Sequence, residues 1–149
     1  MCLEDLNRIR LWNERNISDY SSYVYRQFLL LKIRDCLIES ESEKYSQILL
    51  AELSSLNKLM SLYLDQESLF MHRRFLLQQF VKFYNIENRP IELLRQQECE
   101  FIIASSVNDK IHLNSKKWLK YLVEHHIKWL KLVLCWNIDT KLLLNQSSN

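Results

Sequence analysis

Apolar residues recur along this chain at spacings of three and four, and strict alternation is absent. That is the pattern of amphipathic helices rather than half-buried strands. A first helix is predicted over about residues 3–15, with Leu3, Leu6, Ile9 or Arg10, and Leu11 inward. Ser18 and Asp19 are candidate N-caps for a second helix reaching about Glu39. Val24, Phe28, Leu31 and Ile38 line one front of it, while Tyr25, Leu29, Ile33 and Cys36 line another. So wide an apolar surface predicts a central position. The polar run Glu39 to Lys44 is the first connection. Helix three, about 43–65, carries the seam Leu49, Leu53, Leu56, Met60, Tyr63, which is the spacing of a packed helix–helix contact. Asp65-Gln66-Glu67-Ser68 either parts it from helix four, about 67–85, or is a polar patch within one long helix, and a break is the slightly favoured reading. That helix has Leu69, Leu76, Phe80 and Phe83 in line, flanked by Phe70, Leu77, Val81 and Tyr84. Helix five starts at Pro90 and fades at Ser105-Ser106, and Val107 to Asn114 reads as a loop. Ser115 is the expected N-cap of helix six, about 116–137. There Trp118, Leu122, Trp129, Val133 and Trp136 share the inward face, opposite Lys117, Lys120, Glu124, Lys128 and Lys131.

These elements predict an all-α fold: a compact bundle of five to six helices in a single domain, residues 1–144, with a short flexible tail at 145–149. A chain of 149 residues can bury roughly 70% of its unfolded surface, enough for its own core. Composition sharpens the reading through one absence. There is no glycine, where average usage would supply about ten. Without glycine, the phosphate-binding loop, the dinucleotide fingerprint, the EF-hand loop and the nucleophile elbow are excluded in their standard forms. Tight hairpin turns go with them. Asn16, Asn85, Asn108, Asn114 and Asn137 fall near expected helix ends and are read as substitutes in left-handed positions. No apolar run reaches the ~18 residues of a membrane span, and the N-terminus lacks a signal-peptide pattern. A soluble cytoplasmic or nuclear protein is expected.

Charge adds one candidate surface. The overall net charge is only +2, yet Lys110 to Lys141 holds seven lysines and two acidic residues. Lys117, Lys120, Lys128 and Lys131 therefore form a candidate patch for nucleic acid or another anionic surface. A solvated helix face has the same composition. For the tryptophans the choice lies between binding anchors and large core residues. Trp12, Tyr20, Tyr23 and Trp136, each near a helix end, are the candidate partner contacts. Trp136 is the one expected to be partly exposed.

Catalytic and metal chemistry find no scaffold. Adjacent His125 and His126 diverge by about 100° on a helix and do not share a metal, and no paired-cysteine or paired-histidine spacing supports one. Glu98 and Glu100 point in nearly opposite directions and are no catalytic pair. The expectation is a chain that is not an enzyme and needs no cofactor or metal.

Four cysteines stand at 2, 36, 99 and 135, and Cys36, Cys99 and Cys135 read as small core residues in a reducing compartment. An even count also permits two disulfides, and Asn16-Ile17-Ser18 and Asn145-Gln146-Ser147 are glycosylation acceptors. In cysteine number, approximate spacing and helical content the chain resembles the four-cysteine helical cytokines of the interferon type. That resemblance implies Cys2–Cys99 and Cys36–Cys135 pairs and a secreted ligand. It departs from the pattern after Cys135, where too few residues follow for the long final helix. Trp12-Asn13-Glu14-Arg15 resembles a short stretch near the N-terminus of one subunit of the GINS replication complex.

The function expected is a non-catalytic helical protein–protein interaction module, an adaptor, inhibitor or complex subunit, that binds another protein or self-associates. The alternatives are the secreted cytokine-like ligand and a basic helical subunit of a nucleic-acid-associated complex.

Overall fold

The structure, a computed structural model, describes residues 1–37, 41–86, 90–106 and 113–138. Among them are six helices and no strand: α1 (Cys2–Arg15), α2 (Tyr20–Cys36), α3 (Ser42–Leu62), α4 (Glu67–Ile86), α5 (Glu92–Ser106) and α6 (Leu113–Val133). The all-α expectation holds. No described helix is long and apolar enough to cross a membrane. The chain divides into two compact units, Met1–Phe83 and Tyr84–Asn149.

In the first unit, α2 begins because Asp19 caps it. The carboxylate accepts from the Ser22 backbone N–H at 3.3 Å and from the Ser21 hydroxyl at 2.7 Å. It also accepts from Trp12 Nε1 at 2.9 Å, which fixes the end of α1 against the start of α2. Helices α3 and α4 are separate, as the polar stretch predicts. Tyr63 caps α3 by donating its backbone N–H to Leu59 at 2.9 Å, and the Gln66 N–H then turns back to Tyr63 at 3.3 Å. Leu49, Leu53, Leu56 and Met60 of the predicted seam are buried, while Tyr63 lies beyond the helix and is exposed. Leu69, Phe70, Leu76, Leu77 and Phe80 of α4 are buried too.

Side-chain pairs set the helix directions. Arg26 of α2 meets Glu52 of α3, and Glu52 lies beside His72 of α4. Farther along α2, Arg34 donates to Gln79 of α4, which also accepts from Tyr45 of α3. Positions therefore rise together on α2 and α4 and fall on α3, so α3 runs antiparallel to both.

Two inward faces differ from their sequence reading. On α1, Leu6 and Asn13 are buried with Ile9 and Arg10 half-buried, whereas Leu3 and Leu11 are exposed. The inward stripe contains a polar Asn13, so apolarity alone selects the wrong neighbours. Helix α2 is not central: Leu29, Leu30 and Ile33 are buried, but Val24, Tyr25 and Phe28 are exposed. Its inward face instead spends positions on Ser22 and Arg26.

In the second unit α5 packs on α6. Leu94, Glu98, Ile102 and Ser105 face inward from α5, and Leu119, Leu122, Val123, His126 and Leu130 from α6. The tryptophan-led face predicted for α6 is thus rotated. Trp118 and Val133 are exposed and Trp129 is half-buried, because a buried histidine, paired with Glu98, occupies the middle of the true inward stripe. Ser115 lies inside α6 rather than capping it, and the helix stops at Val133, short of 137. Cys135 has φ 56°, and the turn lets the Trp136 N–H reach the Leu130 carbonyl at 3.1 Å. Left-handed backbone closing a helix is the usual place for glycine. Here a cysteine takes it, and none of the described asparagines does. Asn108, most of the predicted 107–114 loop, and the 145–149 tail lie outside the described residues.

Candidate functional site

The first candidate surface is the outer face of α1 and α2. Tyr20, Val24 and Phe28 follow one another at i, i+4 and i+8 on α2, which places them in one row. Each is about half exposed. Tyr25 stacks beside the row, its ring 6.3 Å from Phe28 and 20° from parallel. Lys32 places its ammonium 5.5 Å from the Phe28 ring centre. Alongside, Asp5, Arg8, Ile9, Trp12 and Tyr25 line a shallow concavity of about 230 Å³. Trp12, 52% exposed, is held at its edge by the bond to Asp19. That indole N–H, with the Ser21 hydroxyl, keeps the Asp19 carboxyl below its ordinary range.

Of the four partner contacts expected from sequence, the structure brings Trp12 and Tyr20 to this face. Tyr23, 1% exposed, and Trp136, 5% exposed, are buried and are not surface anchors. Tyr23 lies on the inward face of α2. Trp136 is folded inward by the Cys135 turn. Val24, Tyr25 and Phe28, exposed on the same face, are not among the contacts expected from sequence. Their signal was the width of the apolar surface of helix two, of which the core takes up Leu29, Leu30 and Ile33.

The second candidate surface is α6. Lys117, Lys120, Lys128 and Lys131 are all exposed, as expected, and Lys120 lies 4.0 Å from Glu124. Lys128 and Lys131 join Glu124, Ile127, Asn137 and Ile138 around a concavity of about 350 Å³. Trp118, Tyr121 and His125, all exposed, lie along the same helix.

Two buried polar clusters complete the inventory. In the first unit, Arg26 donates twice to Glu52, Nε to Oε2 at 2.5 Å and Nη2 to Oε1 at 2.8 Å. Its remaining nitrogen reaches Asn13 Oδ1 at 3.4 Å, and Asn13 in turn donates to Ser22. His72 Nε2 stands 3.6 Å from Glu52 Oε2, just beyond hydrogen-bond length. Neither ring nitrogen of His72 nor the Tyr23 hydroxyl makes a hydrogen bond. Burial raises the Glu52 pKa, but the His72 ring and the Arg26 guanidinium outweigh it and hold the carboxyl at about 2. Burial keeps the His72 imidazole below its ordinary value; Glu52 opposes the shift and the Arg26 charge adds to it. Burial also pushes Tyr23 up to about 12, against the opposing charge of Arg26. Perturbed groups of this kind mark active sites when they line a cleft. These line neither concavity, and each is under 5% exposed. The arrangement ties α1, α2, α3 and α4 together.

In the second unit, His126 and Glu98 share a 2.6 Å hydrogen bond at full burial. Phe101 meets the imidazole edge-on and Trp129 stacks on it. Glu98→Ala is expected to cost about 1–3 kcal/mol, the usual penalty for breaking up a buried polar pair. The urea midpoint reads it, and an unchanged midpoint would show that the bond carries no stability. Burial raises the Cys99 thiol pKa, the opposite of what a cysteine nucleophile needs.

Among the described residues no group of three or more His, Cys, Asp or Glu side chains is placed to hold a metal ion. All four cysteines are free thiols in the structure. Asn16, of the first glycosylation acceptor, spends its amide on the Trp12 carbonyl at 3.1 Å. Comparison of the chain with protein-family models, with curated proteins and with solved structures finds no match.

Proposed function

We propose that this chain is a non-catalytic protein-binding module, an adaptor, inhibitor or complex subunit, whose α1–α2 face receives an amphipathic helix of another protein. The observation that carries this reading is the exposed row Tyr20–Val24–Phe28, with Tyr25 stacked beside it. A helix with so wide an apolar surface is normally covered on more than one side. This one is covered on one side only. A four-spaced ridge of side chains is also the shape into whose grooves another helix packs. Aromatic side chains dominate binding energy because they bury large areas at little entropic cost. The acidic and basic groups at the rim, Asp5, Arg8 and Lys32, suit a partner whose flanks carry both signs.

The test places a photo-crosslinking phenylalanine analogue at Phe28 in the source cell, with Lys82 of α4 as the control position. The expected result is a discrete adduct with one other protein from position 28 and none from 82. Val24→Glu, which leaves helical content intact, should remove the adduct and weaken the purified pair at least tenfold, as loss of a buried anchor does. An adduct with a second copy of the chain would replace the partner helix with self-association. No adduct, or one indifferent to Val24→Glu, would overturn the reading.

A further inference from the structure

Trp118, Tyr121 and His125 occupy positions i, i+3 and i+7 of α6 and form a continuous ladder of rings on its solvent side. The Trp118 and Tyr121 rings are 5.0 Å apart and 14° from parallel. Tyr121 and His125 follow at 4.0 Å and 34°. Beside the ladder α6 carries five lysines, Lys116, Lys117, Lys120, Lys128 and Lys131, against the one carboxylate of Glu124. Every one of these lysines is exposed. Core packing does not account for the rings, since the inward face of α6 is made by Leu119, Leu122, Val123, His126 and Leu130.

We propose that this face binds single-stranded nucleic acid, with bases extending the ring ladder and phosphates held by Lys117, Lys120, Lys128 and Lys131. The proposal rests on the second unit and is independent of the α1–α2 reading. Parallel rings give unpaired bases a surface of their own geometry, and every base has a flat face to offer. The row of ammonium groups alongside matches the charge of a strand's backbone. A duplex keeps its base faces stacked inside and offers the lysines alone. An anionic lipid surface would also satisfy the lysines, but the near-parallel stacking of Trp118 on Tyr121 is the arrangement that a base continues. Recognition by stacking and charge predicts little sequence preference.

The full chain is titrated into a fluorescein-labelled oligothymidylate of about twelve nucleotides, a length within the usual range of single-strand sites. Anisotropy is read between about 50 and 200 mM NaCl, with tryptophan emission followed in parallel. Four phosphate contacts predict a slope of log K against log salt near −3, which is roughly a 50-fold loss over that range. Tryptophan emission should fall on binding. Tyr121→Ala should weaken binding at least fivefold, and reversing Lys117, Lys120, Lys128 and Lys131 to Glu should abolish it. Tyr121→Leu, which keeps apolar bulk and removes the ring, serves if the alanine variant loses helical content. Three results would overturn the proposal. One is no binding at low salt. Another is binding with the same affinity in the Tyr121 variants, or equally tight on a duplex. The third is capture of phosphatidylserine vesicles without capture of the oligonucleotide, which would assign the face to lipid.

Discussion

Glu52→Gln is expected to cost about 3–5 kcal/mol of stability, the range for breaking a buried ion pair on one side only. The reason is geometric. Arg26 and Glu52 are both nearly sealed from water, and two parallel N–H···O bonds join them. A neutral amide in place of the carboxylate leaves the guanidinium, which does not give up its proton, without a compensating charge in a medium that solvates it poorly. The same carboxylate also lies beside His72, so its loss removes a negative group facing both Arg26 and His72. The double replacement Arg26→Met with Glu52→Leu is expected to cost much less than the single one, because no charge is then stranded. Urea midpoints of the three proteins decide the matter, with amide hydrogen exchange of α3 reporting the first unit directly. A single-variant loss below about 1 kcal/mol would mean that water reaches the pair and that it behaves as a surface salt bridge.

Stability of the first unit should fall steadily as the solution is acidified from neutral pH. His72 has a native pKa below its ordinary 6.5, so below that pH the unfolded chain takes up a proton that the native state refuses. Glu52 adds to the loss lower down. Its pKa falls from 4.5 unfolded to about 2 native, so between those values the unfolded state again binds the extra proton. In both windows the unfolded state holds more protons, and stability therefore declines with falling pH by at most roughly 1.4 kcal/mol per pH unit for each group. Over the Glu52 window the loss amounts to about 3 kcal/mol. Urea midpoints measured at intervals from neutral to acidic pH should trace two limbs. His72→Phe, which fills a similar volume without a titrating ring, should flatten the upper limb and shorten the lower one, because it also removes a group that holds the Glu52 carboxyl down. A midpoint constant down to the carboxylate range would show that His72 is solvated enough to titrate normally.

Much of the helical framework was legible because its signals are local. The α3 seam is read from spacing alone, since leucines at three and four residues can share a face only on a helix. The break between α3 and α4 follows from four successive polar residues at a point where apolar spacing lapses. Helix faces that bury polar groups were not legible. Asn13, Arg26 and His126 look like solvent-facing residues until their partners Ser22, Glu52 and Glu98 are known, and each shifted a face from its apolar reading. For the candidate surfaces, Trp12, Tyr20 and the four lysines were found from helix-end position and charge. The α6 ring ladder was missed because Trp118 was taken for core and the inward face of α6 was set one position round the helix.

The sequence by itself determined that this chain is all-α, where its helices lie to within a few residues, and that glycine-built ligand loops are absent. Periodicity, capping residues and backbone freedom act within a few positions, so they are written locally. Only the tertiary structure decided which front of α2 faces water and that residues 26, 52 and 72 meet. It also decided that the rings of α6 stack outward beside its lysines. Burial depends on what packs above a residue, and an inward charge is tolerable only when a distant helix supplies its counter-charge.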